Sequence, residues 1–127
     1  MKRIILLLFF IPIFGISQIF HHSYNGEKIR HNKYTLSYSE NNEQAEWVYY
    51  VLNTESLLGT TKRTNNFKSD DKVSSGSAHP SNYKYTGYDR GHLAPASDMK
   101  ISRTTMSESF LMSNISPQNP SFNRGGW

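Results

Sequence analysis

Apolar and polar positions alternate in two neighbouring segments of the chain. Tyr34, Leu36 and Tyr38 are separated by single small polar residues, which is the period of a strand with one buried face. After a polar turn at residues 39–44, residues 45–52 form a second run rich in aromatic and β-branched side chains. The pattern therefore predicts two strands joined as an antiparallel hairpin.

The regular pattern ends after the second strand. Residues 53–86 are rich in Asn, Ser, Lys and Asp and predict a long irregular excursion, which in a compact domain is usually functional or disordered. Farther on, Thr105 and Glu108 have the spacing of a capping box, which predicts a short helix that begins there and carries Met106 and Phe110. The run 110–112 fits either the end of this helix or a buried strand.

The first residues follow a different pattern from the rest. Lys2 and Arg3 precede an apolar run over residues 4–16, and small residues follow at the end of the run. This arrangement predicts a secretory signal peptide over residues 1–17, with an uncleaved anchor as the alternative. The run is shorter than the roughly 20 residues of a transmembrane helix. We therefore expect a secreted protein, extracellular or periplasmic, with no stable membrane insertion after cleavage; residues 18–33 predict a linker or domain entry.

Composition narrows the classes of protein that remain. The 127 residues fit one domain. The absence of cysteine excludes a disulfide scaffold, a thiolate metal site and a cysteine nucleophile. The net charge is +4, but without the signal peptide 12 basic and 10 acidic residues remain, a net charge of +2. This small excess does not by itself indicate a nucleic-acid partner.

The segment Tyr88–Ala96 combines an acid, a guanidinium and an imidazole. On an extended backbone Arg90 and His92 share one face, with Asp89 on the other. A histidine can accept a proton from water at neutral pH, and an arginine can bind a phosphate through two parallel hydrogen bonds. From these residues alone, a general base and a merely structural histidine remain equally open.

Asparagines mark a second segment, from Ser113 to Arg124. A carboxamide oxygen suits Mg²⁺, which keeps much of its water shell, and Asn123 offers such an oxygen, as does Asn114. Asparagine is also common in turns and helix caps. The residue type alone therefore leaves both a ligand role and a structural role open.

Several motifs in one order carry a resemblance. They are Tyr88–Lys100, Met106–Phe110, Ser113–Gln118 and Phe122–Trp127. Together they resemble the DNA/RNA non-specific endonuclease family, the secreted bacterial and mitochondrial nucleases with a ββα-metal site. The similarity runs from about Lys62 to the last residue, and more weakly from Tyr34. It implies an α+β fold, a ββα-metal nuclease core with an antiparallel sheet, and a nuclease domain of which residues 34–127 form the N-terminal portion.

The resemblance also implies an activity and a set of roles. The activity is Mg²⁺-dependent hydrolysis of DNA and RNA phosphodiesters, with other divalent cations possible and with binding through phosphates. The implied roles are His92 as general base, Asn123 as metal ligand, Arg90 near the scissile phosphate, Arg63 as a further phosphate-binding arginine, Asn114 beside the base or a water on the metal, and Asp89 as a residue that shapes the site rather than reacts. A solvated Arg63 is the alternative to its phosphate-binding role.

One departure from the family pattern bears on whether the chain is catalytic. The family places a glutamate about two turns after the ligand asparagine, whereas Trp127 is the last residue given, so we expect a C-terminally truncated domain. A catalytically incompetent nucleic-acid-binding fragment is therefore an alternative. A secreted surface or adhesion module is another, motivated by the Tyr-rich hairpin.

Tyr83, Tyr85 and Tyr88 fit base stacking, but packing into a Leu-poor core is the expected role. Oligomeric state stays open.

Overall fold

A computed structural model describes residues 25–126 of the chain. The predicted signal peptide lies outside the described residues, and so does the beginning of the predicted linker. Across residues 25–126 no helix is both long and apolar enough to cross a membrane.

A three-stranded antiparallel sheet forms the first part of the described chain. Its strands lie in the order β1 (Glu27–Arg30), β2 (Tyr34–Ser39) and β3 (Gln44–Tyr50). Leu36 pairs with Val48 on one side and with Ile29 on the other. Tyr34, Leu36 and Tyr38 are all buried, because alternate side chains of a strand share a face. The predicted antiparallel hairpin is confirmed.

The segment 18–33, predicted as a linker or domain entry, contains β1 (Glu27–Arg30), a strand that its pattern did not predict. These four residues form the outer strand of the sheet, with Ile29 as their one buried side chain. A single apolar residue among charged ones shows no strand period, so the pattern carried no signal. The strand exists because its backbone pairs with β2 after a tight turn, in which the His31 amide donates to the Tyr34 carbonyl oxygen at 2.9 Å.

The excursion after β3 is largely irregular, as predicted, but it is ordered by buried contacts. It contains α1 (Thr54–Leu58) and a short 3₁₀ helix at Pro80–Tyr83. Asp70, at its centre, is 2% exposed. The Asp70 carboxylate lies 2.8 Å from Nε2 of His31 and accepts from the Ser113 hydroxyl at 2.5 Å. Because a buried carboxylate requires such partners, these contacts tie the excursion to both halves of the fold.

The second helix differs from its prediction at both ends. α2 spans Arg103–Glu108, and its capping box joins Ser102 with Thr105 rather than Thr105 with Glu108. Phe110 lies beyond its end. Glu108 instead accepts hydrogen bonds from the amide and the side chain of Asn32, at 3.0 and 2.6 Å. Ser102 and Thr105 have the same spacing as Thr105 and Glu108, and Thr105 stands where the pattern has Glu or Gln. Glu108 is engaged by the tertiary contact to Asn32.

A smaller antiparallel pair and a helix complete the fold. β4 (Asp89–His92) pairs with β5 (Ile115–Gln118), and α3 (Pro120–Gly125) follows directly. The proline at the first position of α3 and the Asn119 side chain, which accepts from the Ser121 amide at 2.9 Å, start the helix. The result is a strand, strand and helix unit beside the three-stranded sheet.

The three tyrosines before β4 differ in burial. Tyr83 packs against the cluster of Ala78, Met112 and Ile115, so the expected core role holds for this residue. Tyr85 and Tyr88 are exposed, Tyr88 to 55%, and for them the core prediction is wrong. They belong to a turn in which Gly87 has a φ of +83°, which holds the segment at the surface.

Candidate active site

A cavity of about 470 Å³ lies where β4, α3 and the excursion meet. Four of the residues selected from the sequence line it: Arg63, Arg90, His92 and Asn123. The remaining wall consists of Pro95, Ala96 and Ser97. Residues from distant parts of the chain therefore converge, as the resemblance implied, while their catalytic roles stay predictions.

β4 sets the positions of two of these side chains. Arg90 and His92 are alternate residues of the strand and both line the cavity, as expected for a shared face. Gly91 between them leaves room for the Gln118 side chain. A Cβ atom at Gly91 would lie 2.0 Å from Cδ of Gln118, whose amide donates to the His92 carbonyl oxygen at 3.4 Å. The glycine of this motif therefore has a packing reason.

His92 occupies an aromatic environment. The Phe110 ring contacts the imidazole edge-on, with centroids 4.8 Å apart, and the Phe67 centroid lies 5.7 Å away. His92 is 7% exposed, and its Nε2 atom has no hydrogen-bond partner among residues 25–126. Burial, with a smaller contribution from the Arg63 charge, lowers the pKa of His92 from 6.5 to about 4. The imidazole is therefore neutral at physiological pH, and its Nε2 atom is buried without a hydrogen-bond partner among the described residues.

The same two phenylalanines hold the two arginines. The Arg90 guanidinium carbon lies 4.2 Å from the Phe67 centroid, and that of Arg63 lies 4.8 Å from the Phe110 centroid. The two rings pack edge to face, 4.9 Å apart. Stacking on a ring face fixes the plane of a guanidinium while its N–H groups stay available for a phosphate.

Sequence reasoning missed Phe67 and Phe110 as site residues. Phe110 ends one of the motifs that carry the resemblance, and Phe67 lies only in the wider region of similarity that begins near Lys62. In both places an apolar side chain is typical of an ordinary core. Only their contacts with Arg63, Arg90 and His92 show that they support the cavity.

Asn123 is oriented by Asp89. Nδ2 of Asn123 donates to the Asp89 carboxylate at 3.1 Å, and Arg124 donates to the same carboxylate at 2.8 and 2.6 Å. These bonds, first that of Arg124 and then that of Asn123, hold the pKa of Asp89 below its ordinary value. The Oδ1 atom of Asn123 makes no hydrogen bond within the described chain. Asp89 thus engages the amide nitrogen and leaves the oxygen free.

This free oxygen fits a hydrated divalent cation. In the part of the chain that the structure describes, no group of three or more His, Asp or Glu side chains is placed to hold a metal. The free Asn123 oxygen could serve as a ligand of a cation that otherwise keeps its water. Mg²⁺ suits such a site, because it prefers oxygen ligands and gives up its water reluctantly.

Asn114 lies elsewhere than predicted. Its side chain is fully buried, and Oδ1 accepts from the Ala94 amide at 2.9 Å. Nδ2 donates to the carbonyl oxygens of Ala94 and Ser109 at 3.0 and 2.9 Å. The carboxamide is not among the groups that line the cavity. It joins the segment after β4 to the end of α2, so direct contact with the base or with a water on the metal is not what the structure shows.

The fold and the cavity together define a class of protein. It is an α+β protein in which an antiparallel strand pair and a short helix surround a histidine, two arginines and an asparagine. The chain belongs to the DNA/RNA non-specific endonuclease family, whose sequence profile matches residues 16–127. The predicted family is therefore confirmed.

Individual relatives extend this result. The chain is 41% identical over 98 residues to a protein named Nuclease from Nostoc sp., covering 76% of this chain and 35% of that protein. It is 36% identical over 96 residues to the human mitochondrial Endonuclease G, covering 74% and 32%. The chain thus spans about a third of the length of these relatives.

A solved structure supports the fold assignment. The crystal structure of the EndoG/EndoGI complex contains a chain that matches with a TM-score of 0.67 and 32% sequence identity. The match covers 79% of this chain and 43% of that chain. The predicted α+β fold with a ββα core and antiparallel sheets is confirmed.

Proposed function

We propose that this chain carries the active site of a secreted endonuclease that hydrolyses the phosphodiester bonds of DNA and RNA with a divalent cation, Mg²⁺ in the first place. The observation that carries the proposal is the pairing of a neutral, buried His92 with two ring-stacked arginines in one cavity. Family membership of the chain supports it.

His92 acts as the general base in this proposal. A water in the cavity loses a proton to the imidazole as its oxygen attacks phosphorus, and the bond from phosphorus to the leaving 3′ oxygen breaks. The low pKa of His92 keeps the acceptor form populated at neutral pH. It also makes the base weak, because proton transfer is most efficient when the pKa lies near the working pH.

The arginines bind the negatively charged phosphate, and the asparagine binds the cation. The guanidinium groups of Arg63 and Arg90 donate to phosphate oxygens, as rigid planar donors do. Asn123 holds the cation through its free oxygen, with Asp89 fixing the amide orientation. When bound, the cation supplies positive charge opposite the developing negative charge of the reaction.

The same arrangement accounts for a lack of sugar specificity. Every charged group assigned to substrate contacts a phosphate, and phosphates carry no sequence or sugar information. Binding should therefore weaken as the salt concentration rises. Secretion rests on the signal-peptide pattern of residues 1–17, while relatives of this chain include proteins named as mitochondrial.

The test is cleavage of a plasmid and of a structured RNA with Mg²⁺. Wild type is compared with His92→Ala and with the size-retaining His92→Gln, and His79→Ala serves as control because His79 is an exposed histidine outside the cavity. Loss of a positioned general base should reduce the rate by about 10²–10⁴-fold, while the control stays at wild-type level. Equal rates in wild type and both His92 variants would overturn the base assignment.

Asn123 is tested separately through the metal. Asn123→Ala should abolish cleavage that depends on Mg²⁺, and Asn123→Asp should retain part of it, because a carboxylate still offers an oxygen ligand. An unchanged Mg²⁺ dependence in Asn123→Ala would refute the ligand role.

A non-catalytic nucleic-acid-binding protein is the second candidate. The low basicity of His92 favours it. Salt-sensitive DNA binding by wild type without any cleavage would establish it, whereas the absence of both would point to the surface-module alternative.

A further inference from the structure

A second cavity of about 610 Å³ adjoins the candidate active site, and the two share Arg63 as a wall. Its charged side chains are all basic: Lys62, Arg63 and Arg103. The other lining groups are hydroxyl and carboxamide side chains, and no acidic residue lines it. Such a surface offers hydrogen-bond donors and positive charge together.

The two walls of this cavity are held in place by hydrogen bonds. One wall is the segment 61–66, and the other is α2 with its neighbouring loop. Nδ2 of Asn66 donates to the Ser107 hydroxyl at 2.6 Å, which joins the walls directly. The Thr61 amide donates to the Lys100 carbonyl oxygen at 3.2 Å. The basic side chains therefore extend from anchored backbone next to the active site.

None of the three cations has an acidic counterpart among residues 25–126. The side chains of Lys62 and Arg103 are both exposed. Arg124, which follows Asn123 in the chain, is by contrast paired with Asp89 at 2.6 Å. Unpaired, solvated cations lose little when they bind an anion and release its counterions.

We propose that Lys62 and Arg103 bind phosphates of the nucleic-acid strand that flank the scissile one, with Arg63 between the two cavities. The proposal rests on the proposed function and extends it from one phosphate to a strand path. The substrate class that follows is a single strand of several nucleotides or one strand of a duplex. A dinucleotide has a single phosphodiester and therefore no flanking phosphate for Lys62 or Arg103 to bind.

The test measures binding without cleavage. The full chain is titrated in EDTA against a fluorescent 12-nucleotide single strand at salt concentrations of about 50 to 200 mM. The double variant Lys62→Gln/Arg103→Gln is compared with Lys28→Gln/Arg30→Gln. The control removes the same two charges from the exposed side chains of β1, which do not line either cavity. Circular dichroism checks that both variants are folded.

A single-strand phosphate contact contributes about 0.7 to the slope of log K against log salt. We expect the Lys62/Arg103 variant to lose about 1.4 from that slope and about tenfold in affinity at low salt, with the control near wild type. Dinucleotide binding, measured by calorimetry, should be unchanged. A slope equal to that of the control, or an equal loss for the dinucleotide, would overturn the subsite.

Cleavage with Mg²⁺, measured in parallel, separates this proposal from the proposed function. A wild type that shows the slope difference but does not cleave would refute the nuclease and support the subsite. A wild type that cleaves with His92 dependence, while the Lys62/Arg103 variant behaves like the control, would refute the subsite alone.

Discussion

Burial of His92 should make the stability of the protein depend on pH in a way that one substitution removes. The pKa of His92 is about 4 in the folded chain, against 6.5 for an ordinary histidine. Between these values the unfolded chain binds a proton that the folded chain does not. Unfolding therefore becomes easier as the pH falls from about 6.5 to about 4, and above 6.5 the effect is absent.

The size of the effect follows from the difference in pKa. Each pKa unit corresponds to about 1.4 kcal/mol, so the full loss below pH 4 is about 3 kcal/mol. At pH 5 the loss is about 2 kcal/mol, because the unfolded imidazole is almost fully protonated there and the folded one is not. This is a large fraction of a typical domain stability of about 5–15 kcal/mol.

The perturbation is His92→Gln, which is similar in size and neutral at every pH. Urea unfolding is followed by tryptophan fluorescence at about pH 7.5 and about pH 5 for both proteins. Other acid-sensitive contacts, such as that between His31 and Asp70, are present in both and cancel in the comparison. We expect wild type to lose about 2 kcal/mol more than the variant. An equal loss in the two proteins would refute the buried, neutral His92.

Two further predictions concern the residues around the cavity. Asn114→Ala should destabilise the fold by about 2–4 kcal/mol, because it leaves buried backbone groups of Ala94 and Ser109 unpaired; urea unfolding measures this, and a loss no greater than that of the exposed Asn82→Ala would contradict it. Asp89→Ala should raise the Mg²⁺ concentration needed for half-maximal cleavage several-fold, because Asn123 loses the partner that orients its amide. The control is Arg124→Gln, which keeps the Asp89 carboxylate. An equal Mg²⁺ requirement in the two variants would contradict the orienting role.

Local patterns determined the parts of the fold that depend on neighbours in the chain. The period of two in Tyr34, Leu36 and Tyr38 predicted a strand with a buried face, and the structure has it. The short spacing of Arg90 and His92 likewise predicted a shared face, because a strand alternates its side chains. β1 escaped prediction, since an edge strand with one buried residue is specified by its pairing rather than by its own sequence.

The candidate site could be predicted only in part from the sequence. The sequence alone determined which residue types carry proton transfer and phosphate binding, and the family to which their motifs belong. Only the tertiary structure decided that Arg63 and Asn123 meet at His92, because contacts between distant segments have no local signature. It alone showed that the Asn114 carboxamide forms hydrogen bonds with the backbone. It also showed that Phe67 and Phe110 contact the arginines and that Phe110 packs against the imidazole. Burial by those rings lowers the pKa of His92, a property that no residue possesses by itself.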